Sequence, residues 1–229
     1  MTTPIETAPS APAKRARRPQ AERTSETRAK LINSAAACLH LYGYGGTTIS
    51  MVAARAGVSR GAITHQFANK VDLMLAVVRM EFEEDVEFYG RLFAERSVAE
   101  TIADMPRTLW QRLSRPAAIA VTEIMLASRS DSELEGKLHE VQSKMDAQAR
   151  TGIRRHFASA GIRLRDDDDA MHRLFLAAIR GLAIESLFNR NPAAIEASVE
   201  MLRRMLVSFY PQLEQASENV GVANRSGKD

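Results

Sequence analysis

The residues with the clearest chemical purpose lie between Thr47 and Leu73, in the run TTISMVAARAGVSRGAITHQFANKVDL. Within it Arg60, Gly61, Ala62, Thr64, His65 and Gln66 fall on one short helical stretch that is small and polar on its outward side. The major groove of B-DNA is about 12 Å wide, admits one helix, and is read from that helix's N-terminal end. Arg60 carries the paired donors that match guanine, a contact worth about 1–3 kcal/mol of discrimination, and Ala62 can meet a thymine methyl. Gly61 lets the backbone come close. Thr64 and Lys70 are placed for phosphates, as are the backbone amides at the helix starts marked by Thr48 and Ser59.

These residues need three helices to hold them. Leu31, Ala35, Cys38, Leu39 and Tyr42 recur at spacings of three and four, which predicts a first helix from about Ser25 that ends at Gly43–Gly46. Thr48 caps a second helix with Val52, Ala53 and Ala56 inward. At Gly57 the chain must leave sharply, in a left-handed backbone that costs glycine little, and Val58 plugs the angle before Ser59 caps the third helix. Asn69 caps a long fourth helix, with Asp72 in its first turn, and Val71–Phe82 is apolar on most sides.

Charge distribution agrees with a polyanion partner for the first third. Residues 1–80 hold eleven Lys/Arg against four Asp/Glu, and residues 81–229 hold twenty against twenty-four. Residues 1–24, rich in Pro, Ala and Thr before Lys14, Arg15, Arg17, Arg18 and Arg23, read as a disordered basic arm that either reaches DNA or is a solvated tail. No run approaches the roughly 18–20 apolar residues of a membrane span, and there is no apolar signal core. One cysteine, Cys38, forms no intrachain disulfide and fits a reducing cytosol. A cytoplasmic location and no membrane partner are the expectation.

Other chemistry is not indicated. His139, His156 and His172 lack metal-ligand spacing, and a single cysteine gives no thiolate cluster. The acidic run Asp166–Asp169 suits a helix start better than a cation. No nucleophile–base order, phosphate loop or paired-carboxylate signature is found, so neither an enzyme nor a cofactor is expected.

The segment resembles the N-terminal domain of the TetR family of bacterial transcription regulators. The motif matches at Thr47-Thr48, Ala53, Ala56-Gly57-Val58-Ser59, Gly61, Phe67, and Lys70 with Leu73. The detailed match covers about residues 25–80, and the remainder agrees in length and helical character only. The resemblance implies an Ω-shaped homodimer whose subunits each carry a three-helix DNA-binding head and a larger helical body that binds a small molecule and dimerises. Carried over by position, Ser50 contacts DNA from the second helix, Arg60, Gly61, Ala62, Thr64, His65 and Gln66 form the recognition face, and Lys70 holds a phosphate. Thr64 stands where many members have Tyr, and Gln66 where His is frequent, so the phosphate contact at the shorter Thr64 is weaker or passes to His65.

The expected fold is therefore all-α, with no alternating apolar pattern: a helix-turn-helix head at 25–72, a ligand-binding and dimerisation body at 73–215, and a disordered tail at 216–229. Body helices are predicted near 98–114, 116–129, 131–160, 168–190 and 192–214. The helix at 168–190 is apolar on two sides, and Gly181 allows close approach. The last helix carries its own apolar stripe, with Glu200 and Arg204 paired outside it. The resemblance makes these two helices a dimer interface containing Phe175, Ala178, Gly181, Leu182, Leu202, Met205, Leu206 and Phe209; ordinary core is the other reading. Met105, Leu109, Trp110, Met125, Met145 and Phe175 are large and adaptable enough to line an apolar effector pocket, and serve equally well as core. The expected function is a sequence-specific repressor released from operator DNA by a small molecule. The alternatives are an activator or constitutive regulator without an effector and, more distantly, a helical enzyme.

Overall fold

The computed structural model describes residues 20–163 and 166–213, and among these no strand occurs. Ten α-helices follow one another: α1 (Gln20–Gly46), α2 (Ile49–Ala56), α3 (Arg60–Gln66), α4 (Lys70–Glu95), α5 (Val98–Ala103), α6 (Met105–Leu113), α7 (Pro116–Ala127), α8 (Ser132–Ser159), α9 (Asp168–Glu185) and α10 (Pro192–Phe209). None is long and apolar enough to cross a membrane among the described residues.

Local signals explain most boundaries. Thr48, Ser59, Asn69 and Asp131 each accept a hydrogen bond from a backbone N–H in the first turn of the helix they precede, which satisfies a donor that has no intrahelical partner. Gly57 closes α2 at φ 67 and ψ 32, where a side chain would be strained, and the next amide, Val58, donates to the Ala53 carbonyl at 3.0 Å.

Some expectations need correcting. The first helix starts at Gln20, so residues 20–24 are helical rather than part of a disordered arm; the Thr24 hydroxyl donates to the Gln20 carbonyl at 2.9 Å and Thr27 to Arg23 at 2.8 Å. The remainder of the arm and the expected tail lie outside the described residues. Tyr42, expected on the inward stripe, is 54% exposed; the helix kinks at Gly43, and Tyr44 packs against the core instead. The single helix expected at 98–114 divides at Asp104, because Pro106 has no amide hydrogen to donate into the preceding turn. Glu200 pairs with Arg203 at 3.0 Å and with Arg107 of α6 at 2.6 Å, not with Arg204.

Two cores organise the molecule. The first joins Leu31, Ala35 and Leu39 of α1, Val52 of α2 and Ile63 of α3 to Leu73, Met74 and Val77 of α4, Ala120 and Ile124 of α7, and Leu134 and Leu138 of α8. It runs without a break across residue 72, where the head was expected to end. The second gathers Ala99, Ile102, Phe157, Ile162, Phe175, Leu206, Tyr210 and Leu213 at the far end of the body. The head therefore shares its core with α4, α7 and α8, and any rearrangement of those helices acts on it directly.

Candidate nucleic-acid interface

Ile63 of α3 and Phe67, which caps it, are buried at 1% and 4% exposure in the first core, where α3 packs on α2 and α1. That leaves Arg60, Gly61, Thr64 and His65 exposed, with Ala62 and Gln66 half-buried beside them. Thr48, Ser50 and Ser59 are exposed on the approach to the same face. A Cβ at Gly61 would meet only the Ser59 Oγ, at 3.8 Å. The protein's own packing does not require glycine there. Nine of the ten residues expected to contact DNA are thus exposed or half-buried on α2, α3 or their caps, and Ala62, His65 and Gln66 share one groove.

The tenth, Lys70, is differently employed. Its ammonium donates to the Tyr44 carbonyl at 2.6 Å and lies 4.0 Å over the Tyr44 ring, half-buried between the end of α1 and the start of α4. Burial draws its pKa down, partly countered by Asp131. Thr64 is also turned away from the role expected of it, since its hydroxyl bonds back to the Arg60 and Gly61 carbonyls at 3.2 and 3.1 Å. A hydroxyl has one proton, and phosphate only accepts.

Neighbouring groups outside the expected set complete the face. A shallow groove of about 340 Å³ runs between α1 and α3, lined by Gln20, Arg23, Thr24 and Thr27 on one side and Ala62, His65 and Gln66 on the other. Arg23 therefore stands beside the recognition face rather than in a distant tail. Arg28 fixes the far end of α3 by donating to the Gln66 carbonyl at 3.1 Å and covering the Phe67 ring at 4.4 Å. Arg28 falls inside the helix expected from about Ser25, whereas Arg23 falls in the expected arm, because residues 20–24, all exposed, carry no apolar repeat.

The other expected sites separate. Of the pocket residues, Met125 and Met145 pack against the first core while Met105 and Phe175 belong to the second; Leu109 and Trp110 are half-buried on α6. Four of the six thus divide between the two cores. Of the interface residues, Phe175 and Leu206 are turned into their own subunit's core, at 7% and 9% exposure. Gly181, Met205 and Phe209 face outward, and Ala178, Leu182 and Leu202 are half-buried. Leu174 at 63%, Phe188 at 73% and Met201 at 49% exposure extend this outer face and were missed.

The family model described as bacterial regulatory proteins, tetR family, matches residues 31–77, which span α1 through the start of α4. The HTH-type transcriptional regulator CymR of Pseudomonas putida is 30% identical over 203 residues, covering 84% of this chain and 97% of the relative. The HTH-type transcriptional repressor AcnR of Corynebacterium diphtheriae is 25% identical, over 82% of this chain and 95% of its own. Among solved structures, the multidrug binding protein EbrR complexed with ethidium has a TM-score of 0.54 and 25% identity, covering 78% of this chain and 97% of that one. With a capped helix-turn-helix, an open recognition face and relatives matched along nearly their whole length, this chain belongs to the TetR family of DNA-binding transcription regulators.

Proposed function

We propose that the protein is a homodimeric repressor whose two α3 helices enter successive major grooves of a near-palindromic operator and which a small molecule releases. The observation that carries the DNA reading is the open space at Gly61, flanked by exposed Arg60 and His65. In this reading Arg60 and Ala62 read bases, while Thr48, Ser50, Ser59, His65 and Gln66 and the amides at the starts of α2 and α3 hold the backbone. Arg23 adds a backbone contact from α1.

The outer faces of α9 and α10 support the dimer. Leu174 and Gly181 stand seven residues apart on α9, Phe188 is exposed just past its end, and Met201, Met205 and Phe209 lie along α10. Exposed large apolar side chains collected on two adjacent helices mark an interface rather than scattered surface. Two-fold symmetry then calls for an inverted repeat, with half-sites expected about 34–36 Å apart or close to it, near one turn of DNA. Release by a small molecule is supported by EbrR's complex with ethidium, and repression by the AcnR relative.

Selection of bound duplexes from random DNA tests the reading. The expected product is an inverted repeat bound by one dimer. Recovery of non-repeated sequences, or binding by a monomer, would overturn it. An activator or constitutive regulator predicts operator affinity that no small molecule alters.

A further inference from the structure

The body contains a cluster of ionised groups that DNA binding does not use. Glu81, Asp85 and Tyr89 stand at four-residue intervals on α4 and so share one face, with Glu84 beside them. Arg112 of α6 and Arg115, the residue before α7, lie across them. Arg115 pairs through Nη2 with Glu81 Oε1, lies 3.8 Å from Asp85 and 3.4 Å from Glu84, and donates from Nε to the Arg112 carbonyl at 3.2 Å. Arg112 donates from Nε to Asp85 at 2.5 Å and covers the Phe88 ring at 4.8 Å.

The cluster is incomplete. Glu81 is 5% exposed, yet its Oε2 has no hydrogen-bond partner; the buried Tyr89 hydroxyl has none either, nor has Arg112 Nη2, although that nitrogen lies in ion-pair contact with Asp85. Buried polar atoms in native proteins are nearly always paired, and each exception needs an explanation, a bound water or ion among them. Three carboxylates also face two guanidinium groups. Burial pushes the Glu81 and Asp85 carboxyls above their usual range in spite of those arginines. An occupant that took the place of an arginine here would have to carry its positive charge, whereas an anion would add to the excess of carboxylates.

We propose that this cluster is the effector seat, and that the effector is a small cation with N–H donors, such as an amidinium, guanidinium or protonated amine, which replaces Arg115 on Glu81. The inference rests on the reading of the body as effector-binding. Arg115 already shows what the seat accepts, since its own guanidinium fills it, and at 31% exposure it can swing outward to admit a competitor. The exchange would be felt in the head. Arg115 holds the N-terminal end of α7 to α4, and Glu123 near the other end accepts from the Tyr44 amide of α1 at 3.4 Å. Releasing the first tie while keeping the second would shift α7, and α1 with it, relative to α4, and α1 packs directly on α2 and α3.

Benzamidine and benzoate share a ring and a shape and differ in charge, so they test the seat on the full chain. Calorimetry and thermal shift without DNA should show benzamidine binding the parent and benzoate not. Glu81→Gln should weaken benzamidine by about tenfold or more, and Arg115→Ala, which vacates the seat, should tighten it. If Arg115→Ala does not fold, Arg115→Lys, with a single donor group in place of the fork, is expected to tighten it to a smaller degree. Preference for benzoate, equal affinity in parent and Glu81→Gln, or binding of neither compound at millimolar concentration overturns the proposal. Operator binding is measured separately. Benzamidine bound through Glu81 without loss of operator affinity upholds the seat and overturns release; release by a compound whose effect survives Glu81→Gln overturns the seat and leaves release standing.

Discussion

Lys70 Nζ donates to the Tyr44 carbonyl at 2.6 Å and rests 4.0 Å above the same residue's ring. Tyr44 in turn donates its hydroxyl to Asp131 at 3.0 Å and its amide to Glu123 at 3.4 Å. One tyrosine thereby ties the end of α1, the start of α4, α7 and the residue that caps α8. Burial, with the Asp131 hydrogen bond second, pushes its phenol up to about 12, so it remains a donor throughout the physiological range.

Lys70→Ala should therefore act on the fold as well as on binding. A charge-assisted hydrogen bond and a half-buried cation–π contact are lost together, for a destabilisation of about 1–2 kcal/mol and a lower melting temperature. A pure phosphate contact would leave stability unchanged and flatten the salt dependence of DNA binding by about one counterion. Thermal unfolding, with operator affinity at several salt concentrations, separates the two. An unchanged melting temperature with a flatter salt slope would return Lys70 to the phosphate role.

Gly61→Ala and Arg60→Ala divide folding from recognition. Alanine in place of glycine inside a helix gains about 0.5–1 kcal/mol, and the new Cβ at Gly61 meets only Ser59 Oγ at 3.8 Å. The variant should melt higher and bind operator more weakly. Arg60→Ala should leave stability unchanged and lose about 1–3 kcal/mol of discrimination at one base pair. Gly61→Ala that binds operator as tightly as the parent would move the DNA contact away from this end of α3.

The head was legible because its signals are local. Thr48, Gly57, Ser59 and Asn69 each act on residues within one turn, so their spacing carries the geometry. The body's signals are not local. The Tyr44–Asp131 bond spans 87 residues and leaves no pattern in the chain. Nor does apolar periodicity say which core a side chain joins. Met125 and Met145 pack on one, Met105 and Phe175 on the other, although all four are equally apolar. On α9, apolar on two sides, the sequence offers either side to the subunit's own core. Packing against α6 and α10 gives that place to Phe175 and leaves Leu174 outside. The Glu81 cluster drew no notice because its acids are adjacent to one another in sequence and their arginines come some thirty residues later.

Adjacent residues on α9 should consequently behave in opposite ways. Leu174→Asp places a charge on the proposed interface and should yield folded monomers in analytical ultracentrifugation, with operator affinity lost because two heads no longer act together. Phe175→Ala removes a core ring and should cost about 3–5 kcal/mol of stability, while any surviving folded protein remains dimeric. A dimeric Leu174→Asp would place the interface elsewhere.

His156 supplies a pH dependence with a definite sign. Its ring stacks on Phe93 with centroids 3.6 Å apart and planes 8° from parallel. Burial, and then the Arg155 charge, lower its pKa from the ordinary 6.5, so the folded state prefers the neutral ring. The unfolded chain takes up a proton near pH 6.5 and the folded one only at lower pH. The stability this group contributes is present above about pH 6.5 and is lost as pH falls through the depressed value. His156→Phe keeps a stacked ring and removes the titration. Denaturant unfolding from pH 8 to pH 5 should show the parent losing stability relative to the variant below about pH 6.5, with the two parallel above it. Parallel curves over the whole range would mean that the stack tolerates the charged ring.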